Sequence, residues 1–314
     1  MLENLILSIN IVLPLLLVML AGCAASRARL CSETTITQMN NVCFRLFLPV
    51  LLMNNIRRAD LAGAEGLSVL LYAMIGLVLL FIVLMALVPR VVKTDAQRGV
   101  VTQALFRSNY ALFGMAVLAS MYPGEELTLP SLMIPATVPV YNVLAVICLE
   151  TFRGGSVSPA KLIKKIATNP LILGSLAGIV LMLLGNPLPA FLDEALLDLG
   201  GIATPLALFI LGASFKLGAL RGNGKLIGAV TLGKLIVVPL AMLLPAILVA
   251  GYRGQALASL LIAFGGPIAV SSFTMAQQMD GDADLAAELV VSTTIFSVFT
   301  LFVFIFVFKT LGLV

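Results

Sequence analysis

The residues most able to do chemistry are a few polar side chains inside long apolar runs. Arg107-Ser108-Asn109-Tyr110 brings a cation, a hydroxyl and a carboxamide together in the run 97–121. Ionisable residues at membrane depth are costly and are functional candidates by default. Because these groups supply hydrogen-bond donors and positive charge, they are suited to an anion. We predict that Arg107 binds an anion or holds the site in which one binds.

A second polar interruption lies in the run 256–278. Gly265-Gly266-Pro267 removes a backbone donor there and weakens a helix on both sides, and Ser271 and Ser272 follow. Unwound backbone at membrane depth needs protein or a water-filled cavity to satisfy its polar groups. Half-helices that meet there point free N–H groups into the cavity, which suits a carboxylate. A packing kink is the weaker interpretation, because the two interruptions occupy matching places in the two halves of the chain.

Further polar side chains lie inside apolar runs, and each has two interpretations. Arg45 shares a helical face with Asn41 and either lines a cavity or bonds a neighbouring carbonyl. Lys234 has a stem long enough to snorkel to the membrane surface, which favours a structural role. Asn142 lines a cavity or bonds another helix, because a buried amide must be bonded. Gln277 follows the second interruption and faces the cavity or the inside surface.

The composition indicates a chain that is surrounded by lipid. The 314 residues are 61% hydrophobic and 11% charged, with a mean hydropathy of +1.12, whereas soluble domains are about half apolar and a quarter charged. There is no histidine, the four cysteines have no metal-binding spacing, and HExxH, GxSxG and Walker motifs do not occur. We therefore expect no metal, no cofactor and no enzymatic activity. The net charge of +4 lies in short loops, so it does not indicate nucleic acid.

Cations and acids are distributed differently along the apolar runs. Arg45, Arg107 and Lys234 fall inside predicted spans, whereas we place all 15 acids in loops or at span ends. This difference favours an anionic substrate. It argues against a proton or sodium exchanger built on buried aspartates.

Ten apolar runs predict an all-α polytopic membrane protein with ten transmembrane helices. The runs cover approximately 4–23, 36–56, 66–88, 97–121, 129–151, 169–186, 195–215, 226–250, 256–278 and 286–308. Leu20-Ala21-Gly22-Cys23 resembles a lipoprotein cleavage box, but no Lys or Arg precedes it, so we expect a retained first span.

The chain also repeats itself. Pro14–Gly22 returns as Pro170–Gly178 with six of nine positions identical at an offset of 156, and two further proline pairs share that offset. We predict a first five-helix repeat over 1–151, a cytoplasmic linker over 152–168 and a second repeat over 169–314. Because five is odd, the second repeat enters the membrane from the opposite side. The repeats are then inverted, as in many secondary transporters with a substrate site between them.

Loop charges set the predicted orientation. With the N-terminus outside, the inside loops hold 12 Lys and Arg residues and the outside segments hold 4. Positive loops stay in the cytoplasm. We therefore predict a multi-pass protein of the cell inner membrane with both termini extracytoplasmic.

At these residues the chain resembles the auxin efflux carrier family of membrane transporters, in its bacterial branch. The matching pieces are Arg107-Ser108-Asn109-Tyr110 through Gly114, Val138 to Val146, Pro205 to Ser214, and Ser272 to Gln277. The resemblance implies two inverted five-helix repeats, broken fourth and ninth helices that cross, and a substrate carboxylate near the crossing. Asn109 and Gly265-Gly266-Pro267 are the closest matches to that site. The family is also similar to dimeric elevator-type carriers, so a homodimer is implied, and bacterial relatives are described as malate or malonate permeases.

The chain departs from this family pattern in two places. No proline lies at the break in the fourth span, so a gentler crossing is expected there. The long hydrophilic central loop of plant members does not occur, so neither auxin as a substrate nor control by loop phosphorylation is expected.

The resulting hypothesis is a carrier that exports or exchanges a small organic anion by alternating access. The predicted substrate-binding residues are Arg107, Ser108, Asn109, Tyr110, Asn142, Gly265, Gly266, Pro267, Ser271 and Ser272, with Asn41, Arg45 and Gln277 as candidate cavity-lining residues. Two alternatives stay open. One is a sodium-coupled organic anion symporter of the bile-acid type, with hydroxyl and amide oxygens near the breaks as ligands. The other is a membrane sensor that does not transport.

Overall fold

The computed structural model describes residues 2–58, 66–153, 159–214 and 220–314, and within these ranges the regular structure is helical. The first helices are α1 (Leu2–Arg27), α2 (Glu33–Arg57), α3 (Leu67–Val91), α4 (Asp95–Phe106), α5 (Tyr110–Gly114 continued by Met115–Met121) and α6 (Thr128–Thr151). The others are α7 (Pro159–Ala167), α8 (Pro170–Leu183), α9 (Ala190–Ser214), α10 (Leu220–Leu232 continued by Gly233–Val237 and Val238–Leu248), α11 (Gly254–Gly265), α12 (Ser271–Gln278) and α13 (Ala283–Thr310).

The predicted linker 152–168 contains the short helix α7, and its residues 154–158 lie outside the described residues. Lys216, one of the cations in the predicted inside loops, lies outside them as well.

The helices identify a multi-pass membrane protein. Among the described residues, six helices are long and apolar enough to cross a bilayer, namely α2, α3, α6, α9, α10 and α13. Three shorter apolar helical segments accompany them, namely Leu13–Arg27 within α1, Pro170–Leu183 (α8) and Gly254–Gly265 (α11). Ten full-length spans are not found within the described residues. The predicted fourth and ninth spans are each divided into two short helices, and α8 has only 14 residues.

Two of the long helices widen into a π-helical turn before a proline. Cys43–Phe47 precedes Pro49 in α2, and Gly233–Val237 precedes Pro239 in α10. A proline ring collides with the carbonyl four residues earlier and offers no N–H to it. A wider turn relieves that collision while the helix continues. Each helix therefore crosses its proline without breaking.

Helices α1, α2, α8 and α9 pack together, and we call them the framework helices. Glycines set the spacing between them: a Cβ on Gly22 of α1 would collide with the backbone of Phe209 in α9. A Cβ on Gly178 of α8 would lie 2.8 Å from the carbonyl oxygen of Met53 in α2. Gly174 of α8 meets the backbone of the same helix at Pro49, so two glycines one turn apart bring α8 against α2.

A polar cluster fixes the end of α2 to the start of α9. The buried Arg57 forms an ion pair with Asp193 and donates to Asn54 Oδ1 at 2.9 Å and Asn186 Oδ1 at 2.8 Å. The Asn54 amide donates in turn to the carbonyl oxygen of Leu196 at 2.5 Å. These contacts pair a buried cation with a carboxylate and two amide oxygens, and they link the end of α2 to the start of α9.

Helices α3, α4, α6 and α10 to α13 form a second group, which contains both broken spans. Helices α3, α4 and α6 contact one another. Helix α10 contacts α11 and α13, α12 contacts α13, and α11 also contacts α6. Phe106 and Phe264, near the ends of α4 and α11, are both fully buried. Phe106 lies edge-on to Phe81 with ring centres 5.6 Å apart and stacks on Tyr141 at 6.5 Å. These rings pack around the end of α4, where the first break begins.

Candidate functional site

Two interruptions in the helices meet inside the molecule. Residues Arg107–Asn109 separate α4 from α5, and residues 266–270 separate α11 from α12. The backbone N–H of Asn109 donates to the carbonyl oxygen of Pro267 at 2.8 Å. Each break therefore satisfies part of the other's exposed backbone, as irregular chain at membrane depth requires. The first break is three residues long and has no proline, whereas the second spans five.

Ser108 connects the two breaks through its side chain. Its hydroxyl donates to the carbonyl oxygen of Ala263 at 2.7 Å and accepts from Lys234 Nζ at 2.7 Å. Tyr141 donates to the same Ala263 oxygen at 2.8 Å, and Lys234 also donates to the carbonyl oxygen of Phe264 at 3.2 Å. The prediction that Lys234 snorkels to the surface is wrong. Its side chain is 0% exposed, because the broken end of α11 offers it carbonyl oxygens inside.

Arg107 is buried among uncharged partners. Its guanidinium donates to Asn142 Oδ1 and Ser271 Oγ, both at 2.8 Å, and to Gln103 Oε1 at 3.3 Å. It also contacts the sulfur of Met275. In the part of the chain that the structure describes, no carboxylate forms an ion pair with Arg107. An unpaired buried charge is costly, so the arrangement favours an anion beside it.

A cavity of about 60 Å³ lies next to these groups, between the breaks and the framework helices. The framework side is lined by Leu48, Leu51, Leu52, Asn55, Thr204 and Ala207. The opposite side is lined by Arg107, Ser108, Asn109, Tyr110, Ala111, Val138, Tyr141, Ala269, Val270 and Ser271. The volume fits a carboxylate group or a few water molecules. The polar side chains that line it carry hydroxyl groups, amide groups and one guanidinium, and none of them is acidic.

The ten predicted site residues lie in three places: in the cavity lining, at the second break and behind the cavity. Five line the cavity, namely Arg107, Ser108, Asn109, Tyr110 and Ser271. Four others lie at the second break without lining the cavity, namely Gly265, Gly266, Pro267 and Ser272. Asn142 lies behind the cavity, where it accepts from Arg107 and donates to Ser175 Oγ at 3.2 Å. Ser272 contributes its backbone carbonyl, which accepts from the Gln103 amide at 3.1 Å.

The three candidate lining residues do not line this cavity. Arg45 is exposed and Asn41 is half-buried, because both precede the part of α2 that faces the breaks. Gln277 lies six residues beyond Ser271, or roughly 9 Å along α12. It lines a different polar cavity of about 290 Å³ that Glu33 and Asp284 also border.

Sequence reasoning missed the polar residues contributed by the framework helices. Asn55 and Thr204 line the cavity from α2 and α9. Within the described ranges the Asn55 amide nitrogen is buried without a hydrogen-bond partner. Asn55 lies at the edge of a predicted span, where an amide is ordinary. The signal that identifies it is helical spacing, since it follows Leu48 by two turns on one face.

Comparison with known proteins adds one match. A family model described as a membrane transport protein matches residues 7–305. That range contains both breaks and every residue that lines the cavity. A search of curated proteins found no match for the chain.

Proposed function

Because the chain belongs to the auxin efflux carrier family of membrane transport proteins, we propose that it is a secondary transporter of small organic anions, with carboxylates as substrates. The buried guanidinium of Arg107 carries the proposal. Its four side-chain partners are uncharged, and it borders a cavity whose lining has no acid. A carboxylate in that cavity supplies the missing negative charge.

The donors around the cavity suit a carboxylate. Asn109 from the first break and Asn55 from the opposite side both line the cavity, and both carry amide groups that can donate. The first turn of α5 begins at Tyr110 and contributes N–H groups that lack partners within the helix, together with a positive dipole end. The Tyr110 hydroxyl donates to the carbonyl oxygen of Pro130 at 3.1 Å, so its proposed role is to shape the cavity. Arg107 supplies the charge, and Asn142 and Ser271 hold it in place.

Transport would proceed by alternating access. The cavity lies between the framework helices and the second group, and both contribute to its lining. A movement of the second group along the framework helices would carry the bound anion from one side of the membrane to the other. An interior-negative potential favours anion exit by about 2.3 kcal/mol per charge per 100 mV, so efflux needs no coupled ion.

The inverted-repeat arrangement is part of the proposal. The units are 1–151 and 169–314, joined by 152–168. The framework contacts support it: Gly22 meets Phe209 and Gly178 meets Met53, and both members of the first pair differ from those of the second by 156. We further propose a homodimer in the inner membrane, with both termini extracytoplasmic.

Transport by reconstituted protein tests this function. Purified protein in lipid vesicles is given labelled mono- and dicarboxylates, with and without a potassium-diffusion potential, Na⁺ and a pH gradient. We expect saturable anion flux that follows the potential. Arg107→Gln should reduce it at least tenfold, because the cavity loses its charge, and Arg107→Lys should retain part of it.

Arg58→Gln is the matched control, since Arg58 is an exposed cation at the end of α2. It should transport at the rate of the unmodified protein. Failure of the folded protein to move any anion under any gradient would overturn the proposal. Full transport by Arg107→Gln would remove Arg107 from the site, and strict dependence on Na⁺ would favour the symporter.

A further inference from the structure

Lys234 is a wholly buried cation beside the two breaks but outside the cavity. It lies in the π-helical turn Gly233–Val237, which contacts both α4 and α11. Its ammonium nitrogen lies 2.7 Å from Ser108 Oγ and 3.2 Å from the carbonyl oxygen of Phe264. Across the described ranges, no carboxylate forms an ion pair with it. The charge is therefore held by neutral oxygen atoms.

The oxygens around Lys234 belong to the ends of interrupted helices. In a continuous helix the carbonyl of Phe264 would accept from the N–H of Ile268. That N–H donates instead to Thr293 Oγ1 at 3.2 Å, because α11 ends at Gly265. The carboxyl end of a helix carries roughly half a negative charge. The ammonium thus faces the negative end of α11, and the end of α4 lies against the same turn.

Carbonyl and hydroxyl oxygens at broken helix ends are the groups that bind coupling cations in secondary transporters. We propose that the Lys234 ammonium fills a monovalent-cation site at the crossing of the two breaks, as a cation that the chain itself supplies. This rests on the proposed transport function. A covalently held cation neutralises the helix ends throughout the transport cycle, whereas a dissolved ion does so only while bound. Removing the side chain should uncover the site.

Chemical rescue tests the proposal. Lys234→Ala removes three methylenes and the ammonium, which together have the size of propylammonium. We expect the variant to transport at less than a tenth of the unmodified rate, and millimolar propylammonium to restore at least a third of that rate. 1-Propanol, which has the same length and no charge, should restore nothing. Propylammonium should leave the unmodified protein unchanged.

Lys234→Met is the matched control, because its side chain occupies the space of the stem without a charge. It should be inactive and should not respond to propylammonium. Lys234→Gln, which keeps hydrogen-bonding groups and loses the charge, should also fall at least tenfold. Full transport by Lys234→Met or Lys234→Gln would overturn the proposal, as would equal rescue by propanol and propylammonium or no rescue by either.

A stability measurement keeps the result independent of transport. In detergent, propylammonium should raise the melting temperature of Lys234→Ala by several degrees, and propanol should not. If the unmodified protein moved no anion, the proposed transport function would be wrong. The change in the melting temperature of Lys234→Ala would still show whether a cation site exists there. If Lys234→Ala is too unstable to purify, the transport rate of Lys234→Gln decides it.

Discussion

At the residue scale, the two buried cations near the breaks have different surroundings. Arg107 faces the cavity with neutral partners, whereas Lys234 faces the carbonyl end of α11. Ser108 accepts a hydrogen bond from the Lys234 ammonium and donates one to the carbonyl oxygen of Ala263. Neither cation has a carboxylate partner in the described hydrogen-bond network. Arg107 therefore carries the positive charge at the cavity, whereas the Lys234 charge faces the end of α11.

Asn55 offers a test of the framework side of the cavity. Asn55 lines the cavity, and its amide nitrogen has no partner among the described residues, so we expect that nitrogen to donate to the substrate carboxylate. A hydrogen bond to a charged group contributes about 1.5–3 kcal/mol, which is roughly 10- to 150-fold in affinity. Asn55→Ala should raise KM for anion transport by about tenfold, measured in vesicles.

Asn55→Asp sharpens this test, because it has nearly the same shape and places a negative charge in the cavity. It should raise KM further than Asn55→Ala does. Leu51→Met is the control, since it changes an apolar lining residue without adding a polar group. An unchanged KM in Asn55→Asp would show that the substrate does not reach α2.

Sequence reasoning finds some of these residues and misses others for physical reasons. Arg107 and Asn109 stand out because they are costly inside an apolar run. Lys234 is equally conspicuous, but its direction depends on a π-helical turn that no periodicity reveals. Asn55 lies near a span end, where polar residues are common, and only the cavity that it lines together with the distant breaks marks it as a site residue.

At the element scale, short stretches of irregular backbone decide what each helix does. The turns before Pro49 and Pro239 let α2 and α10 continue, whereas Pro267 ends α11. Gly266 belongs to that ending, because a Cβ there would lie 2.6 Å from the carbonyl oxygen of Ile262. The second break therefore depends on Gly266 as well as on Pro267. The first break needs no proline, since contacts with the second break hold it open.

The contact between α1 and α9 can be tested with two glycines of the same helix. A Cβ on Gly212 would collide with the backbone of Met19, whereas nothing lies within 4 Å of a Cβ on Gly201. Overpacking typically costs about 1–3 kcal/mol, so Gly212→Ala should lower the melting temperature in detergent by roughly 2–10 °C. Gly201→Ala should leave it unchanged or raise it slightly, because alanine favours the helix. Equal melting temperatures would contradict this close contact.

At the scale of the whole molecule, two groups of helices meet along a boundary that contains the cavity. Apolar runs predict most of the helices, since lipid exposure requires them. They do not predict the pairing of α1 with α9 and of α8 with α2, because every framework helix is apolar on several faces. That pairing is determined by where glycines permit close approach, which depends on both partners at once.

The orientation of the whole molecule can be tested with single cysteines in a variant whose four native cysteines are alanine. Thr94, between α3 and α4, and Glu126, between α5 and α6, are both exposed. The positive-inside rule puts Thr94 in the cytoplasm and Glu126 outside. A membrane-impermeant maleimide should label Glu126→Cys in intact cells, and Thr94→Cys only after the membrane is opened. The reverse pattern would invert the proposed topology.

The glycine contacts between the framework helices also determine when these helices can pack together during synthesis. The partner of α1 is α9, which begins about 160 residues after α1 ends. At about 5–20 residues per second, the ribosome needs on the order of ten seconds or more to deliver it. For that time the glycine face of α1 has only lipid or a membrane chaperone to cover it, and α2 likewise waits for α8. Both framework pairs join one half of the chain to the other, so neither pair can form until the second half has entered the bilayer.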